Sequence, residues 1–245
     1  MDPRSSLAKG AEGMAAGLGG AGLGWLAGSS LHTRVGMLMA LVGGLNGVVS
    51  GLRGVYAWRT GRGLTAFVLD STWASIPVCG GLIAHAMART AKDGGGFDSS
   101  LSHRENRHVY RGGAHFQEGF ALTVGNVISS AGDLSRARRR KLITDHEAVH
   151  IWQARWFGPL YPVLYLGWTV TGALGGVLVW FSRGRKEPLG TLVESCSYYL
   201  NPFEWWAYSR DNLWPPPGLA AGIGWRKPLV RPLAEMRIRR SRTTE

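Results

Sequence analysis

Residues 144–153 read Thr-Asp-His-Glu-Ala-Val-His-Ile-Trp-Gln, and this stretch organises the interpretation of the whole chain. His146 and His150 are four residues apart, so on an α-helix they lie on one face, where both imidazoles can reach one tetrahedral ion. Glu147 lies beside that face, where a carboxylate can accept a proton from zinc-activated water without ligating the metal. The spacing therefore predicts a zinc hydrolase with His146 and His150 as ligands and Glu147 as general base.

A local interpretation of the same residues stays open. Thr144 and Glu147 have the Thr-x-x-Glu spacing of a capping box, in which the glutamate only satisfies backbone donors at the start of a helix. Under that interpretation Glu147 has no role in chemistry.

A zinc hydrolase usually uses three protein ligands and leaves a fourth position for water, so a further ligand is needed downstream. The acidic candidates are Glu187, Glu194, Glu204 and Asp211. We favour Glu204, because Asn201-Pro202 is a helix-start signal that places it in the first helical turn. The alternative is that Glu204 only interacts favourably with the helix dipole.

The pattern around the motif resembles a known group of proteins. The His-Glu-x-x-His motif is followed by Gln153, by Gly-Pro-Leu-Tyr at 158–161 and by Glu-Trp-Trp-Ala at 204–207, and Thr-Val-Gly-Asn-Val-Ile precedes it at 123–128. These segments resemble little-characterised bacterial membrane proteins with zincin-like metallopeptidase motifs. The resemblance covers about residues 108–212 and departs at 148–149, where Ala-Val replaces a bulky residue and a glycine. It implies zinc ligands His146, His150 and Glu204, with Glu147 as base.

Apolar residues concentrate in runs near 13–31, 35–57, 64–88 and 158–181. Each run is close to the roughly 20 residues that cross a bilayer as a helix. This predicts a mainly α, integral membrane protein with three to four apolar helices plus a small zincin-like α+β segment. Arginine far outnumbers lysine, a composition that suggests a GC-rich bacterial genome. With the apolar runs, this predicts a location in a bacterial cell membrane.

The predicted organisation has four parts. Membrane helices occupy 1–90, a Gly/Ser-rich flexible linker 91–107, the zincin-like segment 108–212, and a basic, Pro-containing tail 213–245. Within the zincin-like segment, Gly112-Gly113 predicts a hairpin turn, and alternation at Phe120, Leu122 and Val124 predicts a strand. A short sheet should therefore precede the motif helix.

One geometric condition applies to Glu204. If 158–181 crossed the bilayer completely, Glu204 would emerge on the side opposite the two histidines. Pro162 and several glycines make a re-entrant or folded-back run credible. Otherwise His115 or Glu118 is the fallback ligand.

Asp70 is a lone carboxylate inside the apolar run 64–88. An ionised carboxylate in mid-bilayer costs roughly 2.5–3.5 kcal/mol, so Asp70 should face other helices or the surface. It is either a hydrogen-bond partner of a metal-bound imidazole or, as we favour, a helix-end residue bonded to Ser71 or Thr72.

The net charge is +12, which in a soluble protein would suggest nucleic acid. Here the basic residues cluster beside apolar runs without a nucleic-acid-binding motif, which favours anionic lipid headgroups as partners. The basic run 136–141, just before the motif, either binds lipid phosphates or an acidic substrate, or is only the solvated start of a helix. Cys79 and Cys196 are too few for a disulfide framework.

The leading hypothesis is a membrane-embedded, zinc-dependent hydrolase that acts on a peptide or protein. The main alternative is a non-catalytic membrane scaffold or degenerate peptidase with a structural metal site, followed by a lipid or cell-envelope hydrolase. The sequence carries no signal for an oligomeric state.

Overall fold

The computed structural model describes residues 4–91, 95–115, 119–211 and 214–232. The fold is mostly helical, with 61% helix and few strands, as predicted. Two compact units, Met1–Tyr161 and Pro162–Glu245, divide the chain. The last arginines of the predicted basic tail, Arg237, Arg239, Arg240 and Arg242, lie outside the described residues.

Four helices open the first unit: α1 (Ser6–Ser29), α2 (Thr33–Leu52), α3 (Gly61–Ser71) and α4 (Ser75–Thr90). Helices α1 and α2 form an antiparallel hairpin in which glycines let the backbones approach closely. A side chain at Gly20 would overlap the carbonyl oxygen of Gly43, and one at Gly47 would overlap that of Ala16. The close packing of α1 against α2 therefore requires glycine at these positions.

A three-stranded sheet follows, with β1 (His108–Val109), β2 (Leu122–Val124) and β3 (Val127–Ser129) in the order β1-β3-β2. Strand β1 is parallel to β3, and β2 is antiparallel to it. The predicted strand near Leu122 is confirmed, but the hairpin at Gly112-Gly113 is wrong. The antiparallel turn lies at Gly125 instead, whose φ of 57° favours glycine.

The segment 91–107, expected to be a linker, contributes to the packing of the first unit over its described residues. Leu101, Ser102 and Asn106 are buried, and the Asp98 carboxylate accepts hydrogen bonds from the Ser100 hydroxyl and the Leu101 amide. Small polar residues in this stretch therefore form local turns, which explains why composition alone suggested a linker.

The motif lies on one continuous helical segment made of α5 (Ala137–Lys141), a π-helical turn π1 (Leu142–Glu147) and α6 (Ala148–Phe157). Gly158, with φ of 51°, ends this segment, as predicted from Gly158-Pro159.

Helix α7 (Leu160–Ser182) is continuous over 23 residues, a length of about 35 Å. It is followed by α8 (Leu189–Glu194), a π-helical turn π2 (Ser195–Tyr199) and α9 (Pro202–Arg210). These three elements, residues 189–210, pack back along α7, and we call them the return limb. Gly176 of α7 lies against Val193, and Gly172 of α7 lies against Cys196. The chain therefore folds back after the apolar run 158–181, not within it.

By length and composition, two of the described helices, α2 and α7, are apolar enough to cross a membrane. Helices α3 and α4 meet that criterion only as a pair, with a bend of 89° between them. Helix α1, which covers most of the predicted run 13–31, is not among the candidates. Its many glycines lower the mean hydropathy of the helix. Two candidate spans, or three with the bent pair, therefore replace the predicted three to four.

Candidate metal site

The motif does not lie at the start of a helix. Thr144 is inside π1, and its hydroxyl donates to Asp145 Oδ1 at 2.9 Å. Glu147 accepts a hydrogen bond at 2.7 Å from the Thr123 hydroxyl of β2. The capping-box interpretation is therefore wrong, because the helical segment has already begun at Ala137 and the Glu147 carboxylate contacts a strand.

His146 and His150 converge as the spacing predicts. Their Nε2 atoms lie 3.2 Å apart, and both residues are buried. Two nitrogen ligands at about 2.0–2.1 Å from a tetrahedral zinc ion would be roughly 3.3–3.4 Å apart. His146 belongs to π1, a helical irregularity that is frequent at functional sites. The two imidazoles are therefore already at the separation that zinc requires.

Gln153, one turn beyond His150, sets the tautomer of that imidazole. Its amide oxygen lies 2.8 Å from His150 Nδ1. Because an amide oxygen only accepts, Nδ1 carries the proton, and Nε2 presents its lone pair towards His146. The Tyr161 hydroxyl is 3.3 Å from the same Nδ1. These contacts orient Nε2 as the ligand atom.

In the second unit, Glu204 lies in the first turn of α9, as predicted. The Asn201 side chain caps this helix by accepting a hydrogen bond from the Phe203 amide at 3.0 Å. Glu204 is buried, and its Oε1 accepts a hydrogen bond at 2.7 Å from the Tyr165 hydroxyl near the start of α7. The return limb thus brings Glu204 back to the beginning of α7 within the second unit.

His146, His150 and Glu204 form a buried group that could hold a metal ion. Each offers one ligand atom, and these atoms lie within 4.8 Å of one another. Of the fallback ligands, His115 is exposed with its Nδ1 near the Gly113 carbonyl, and Glu118 lies outside the described residues. Two imidazoles and one carboxylate are a donor set that suits zinc.

Glu147 is 7% exposed and interacts with the charge of Arg139 in addition to its hydrogen bond from Thr123. Arg139 donates to the carbonyls of Ala131, Ser130 and Gly119 at 2.6, 2.6 and 2.9 Å. Burial lowers the pKa of Arg139, and the negative charge of Glu147 acts in the opposite direction. A cation and a hydroxyl thus lie close to the candidate base.

The buried ion pair between Asp70 and Arg155 was missed by the sequence reasoning. Arg155 Nε and Nη2 donate to the two Asp70 oxygens, each at 2.8 Å, and both residues are 1% exposed. Burial alone would lower the pKa of Arg155, but the charge and hydrogen bonds of Asp70 raise it. Asp70 faces another helix, as predicted, but it bonds to Arg155 and not to a metal-bound imidazole, Ser71 or Thr72. A lone arginine in the apolar stretch after the motif was the signal for this pair.

This ion pair belongs to a buried polar network. The Tyr56 hydroxyl donates to Asp70 at 2.9 Å, the Asn46 amide donates to Tyr56 at 2.8 Å, and the Asn126 amide donates to Asn46 at 2.9 Å. The network joins the motif helix, through Arg155, to α2, α3 and the β2–β3 turn. Because each member has polar partners, the network specifies one orientation of the motif helix.

The candidate metal site thus combines the imidazoles of His146 and His150 with the Glu204 carboxylate, and Glu147 is the adjacent acid. The chain matches no protein-family model, no curated protein and no solved structure.

Proposed function

We propose that this protein is a membrane-embedded, zinc-dependent hydrolase whose substrate is a peptide. The observation that carries the proposal is the convergence of His146, His150 and Glu204, with the Glu147 carboxylate on the intervening helical turn. Two imidazoles and one carboxylate hold zinc in many hydrolases and leave a fourth position for water. The membrane setting rests on α2 and α7, which are long and apolar enough to cross a bilayer.

Zinc, when bound, lowers the pKa of water to about 7 and polarises a carbonyl oxygen. With zinc held by His146, His150 and Glu204, Glu147 would accept a proton from water and return it to the leaving amine. The Thr123 hydroxyl holds the Glu147 carboxylate in place. Gln153 and Tyr165 perform the same task for His150 and Glu204.

A peptide substrate is favoured by the position of β2. Among the described strands, β2 pairs only with β3, so its other edge is an outer edge of the sheet. An extended peptide can add to such an edge through main-chain hydrogen bonds. Since Thr123 of β2 contacts Glu147, a peptide on this edge would have its backbone close to the base.

A structural metal site in a non-catalytic scaffold is the second candidate, and burial favours it. His146, His150 and Glu204 are 2%, 6% and 2% exposed, whereas a catalytic site must admit water and substrate. The two proposals differ in turnover and agree in metal content.

The test combines metal analysis of the detergent-purified full chain with turnover of a peptide library. Wild type and Glu147→Gln should carry about one zinc per chain, and His146→Ala and Glu204→Gln should carry much less. Of these four proteins, only wild type should cleave peptides, and the control Glu194→Gln should cleave them as wild type does. Glu194→Gln is the matched control for Glu204→Gln, because Glu194 is an exposed glutamate of the same return limb.

Zinc in wild type without turnover would support the structural site and contradict the hydrolase. Hydrolysis of a lipid ester without peptide cleavage would contradict the peptide substrate alone. Equal zinc content in wild type and Glu204→Gln would remove Glu204 from the ligand set.

A further inference from the structure

The first unit contains a cavity of about 620 Å³ next to the motif helix. Four arginines line it, Arg111, Arg136, Arg138 and Arg139, with His115 and Asp133 beside them. We call it the basic cavity. Its volume is within the range of about 300–1,000 Å³ that is typical of ligand sites.

The arginines of the basic cavity retain an excess of positive charge. Among the described residues that line it, Asp133 is the one acid, and it is 3.4 Å from Arg136, whose side chain is 80% exposed. Arg111 is paired at 2.9 Å with Asp98, which lies outside the lining, so two carboxylates accompany the four guanidinium groups. Arg139 is held by three carbonyl groups, which are neutral acceptors and leave its charge in place. Guanidinium groups bind carboxylates through paired hydrogen bonds. The cavity is therefore suited to an anionic group.

Three residues that line the basic cavity are close to Glu147 in space or along the chain. Arg139 interacts with the charge of Glu147, and Leu142 begins the helical turn that ends at Glu147. Phe120 lies three residues before Thr123, which is roughly 10 Å along an extended chain. A ligand in the cavity is therefore two or three peptide residues away from the candidate base.

We propose that the basic cavity binds a carboxylate of the peptide substrate, from an acidic side chain or the chain terminus, two or three residues from the cleaved bond. This inference rests on the proposed function, because it assigns the substrate class of the same site. Phe120 and Leu142 supply apolar surface for the methylene groups that carry the carboxylate.

The probes are pairs of fluorescent peptides that differ only by glutamate or glutamine, and binding to Glu147→Gln is measured by anisotropy, so hydrolysis does not intervene. The acidic peptide should bind about tenfold more tightly than its neutral partner, as expected for a charge-assisted hydrogen bond. Arg138→Glu should abolish this preference. Arg140→Glu is the matched control, because Arg140 is exposed on the same short helix α5 and does not line the cavity.

Equal affinity for the two peptides would overturn the inference, as would an equal loss of preference in Arg138→Glu and Arg140→Glu. Nanodiscs with and without anionic phospholipid test the other occupant. If Arg138→Glu selectively weakened the interaction with anionic lipid and left peptide preference unchanged, the cavity would be a headgroup site and the inference would fail. An acidic preference that persisted while wild type cleaved no peptide would support the binding site and contradict only the hydrolase.

Discussion

Gln153 is the residue whose contact decides which nitrogen of His150 faces the candidate metal. Its amide oxygen lies 2.8 Å from His150 Nδ1. Replacing such a partner of a ligating histidine typically weakens metal binding about 10–100-fold. We therefore expect Gln153→Leu, which keeps the approximate size of the side chain, to lower zinc affinity by that factor in a chelator competition assay.

Gln153→Glu is the control for this prediction, because it keeps an acceptor oxygen at the same position. It should bind zinc at least as tightly as wild type. If Gln153→Leu retained wild-type affinity, the orientation of His150 would have to come from elsewhere, and the proposed tautomer would lose its support.

At the scale of residues, the sequence correctly predicted those positions that depend on short-range spacing along the chain. His146, His150 and Glu147 lie within one helical segment, and the Asn-Pro pair before Glu204 marks a helix start, so each position follows from short-range rules. The partner of Asp70 was not predictable in the same way. Arg155 is 85 positions further along the chain, and a contact at that separation depends on how the helices pack.

At the scale of elements, the α1–α2 hairpin depends on close backbone contact. Gly20 is buried against Gly43, whereas nothing lies within 4 Å of the position a side chain at exposed Gly22 would occupy. We expect Gly20→Ala to destabilise the protein by about 1–3 kcal/mol through overpacking. Gly22→Ala should be neutral or stabilising by up to about 1 kcal/mol, because alanine is the better helix former.

Thermal unfolding of the two variants in the same detergent checks this prediction. The same substitution in the same helix isolates packing from helix propensity. A loss of stability in Gly22→Ala equal to that in Gly20→Ala would mean that α1 does not pack against α2 through this face.

The motif helix is held by the ion pair between Asp70 of α3 and Arg155 of α6. Asp70→Asn leaves a buried guanidinium without its counter-charge, which typically costs about 3–5 kcal/mol. We expect a large drop in melting temperature and, because the motif helix loses its anchor, a loss of zinc binding. The double variant Asp70→Leu, Arg155→Met should recover most of the stability, since it removes both charges.

A cycle of Asp70→Leu, Arg155→Met and the double variant measures this coupling. Additive losses in stability would show that the pair does not anchor the helix.

The hairpin expected at Gly112-Gly113 shows why local sequence signals do not predict every element. Its glycines are a valid turn signal, but β1 finds a parallel partner in β3, a pairing that no local rule specifies.

At the scale of the whole molecule, apolar composition predicted the helical class, and the return limb was the part that composition missed. Residues 189–210 contain polar and aromatic side chains that do not form an apolar run. The limb is positioned because α7 presents glycines to it, notably Gly172 and Gly176. This packing, and not a break within α7, returns Glu204 to the start of that helix.

Helix α7 decides whether the protein is integral to a membrane. Only 6% of its apolar window is buried, and its exposed side chains include Leu166 at 61%, Leu174 at 63% and Leu178 at 69%. Soluble proteins rarely expose apolar surface on this scale. We therefore expect the wild-type chain to remain in the membrane fraction after alkaline carbonate extraction.

Leu174→Arg should reduce the membrane-integrated fraction, because an arginine at the centre of a span costs roughly 2.5–3.5 kcal/mol on insertion scales. Leu7→Arg is its control, since Leu7 is 86% exposed near the beginning of α1, outside the candidate spans, and should have no effect. Release of the wild-type chain by carbonate would contradict the membrane assignment. The exposed face of α7 would then need a protein surface to cover it, and the proposed hydrolase would act outside the bilayer.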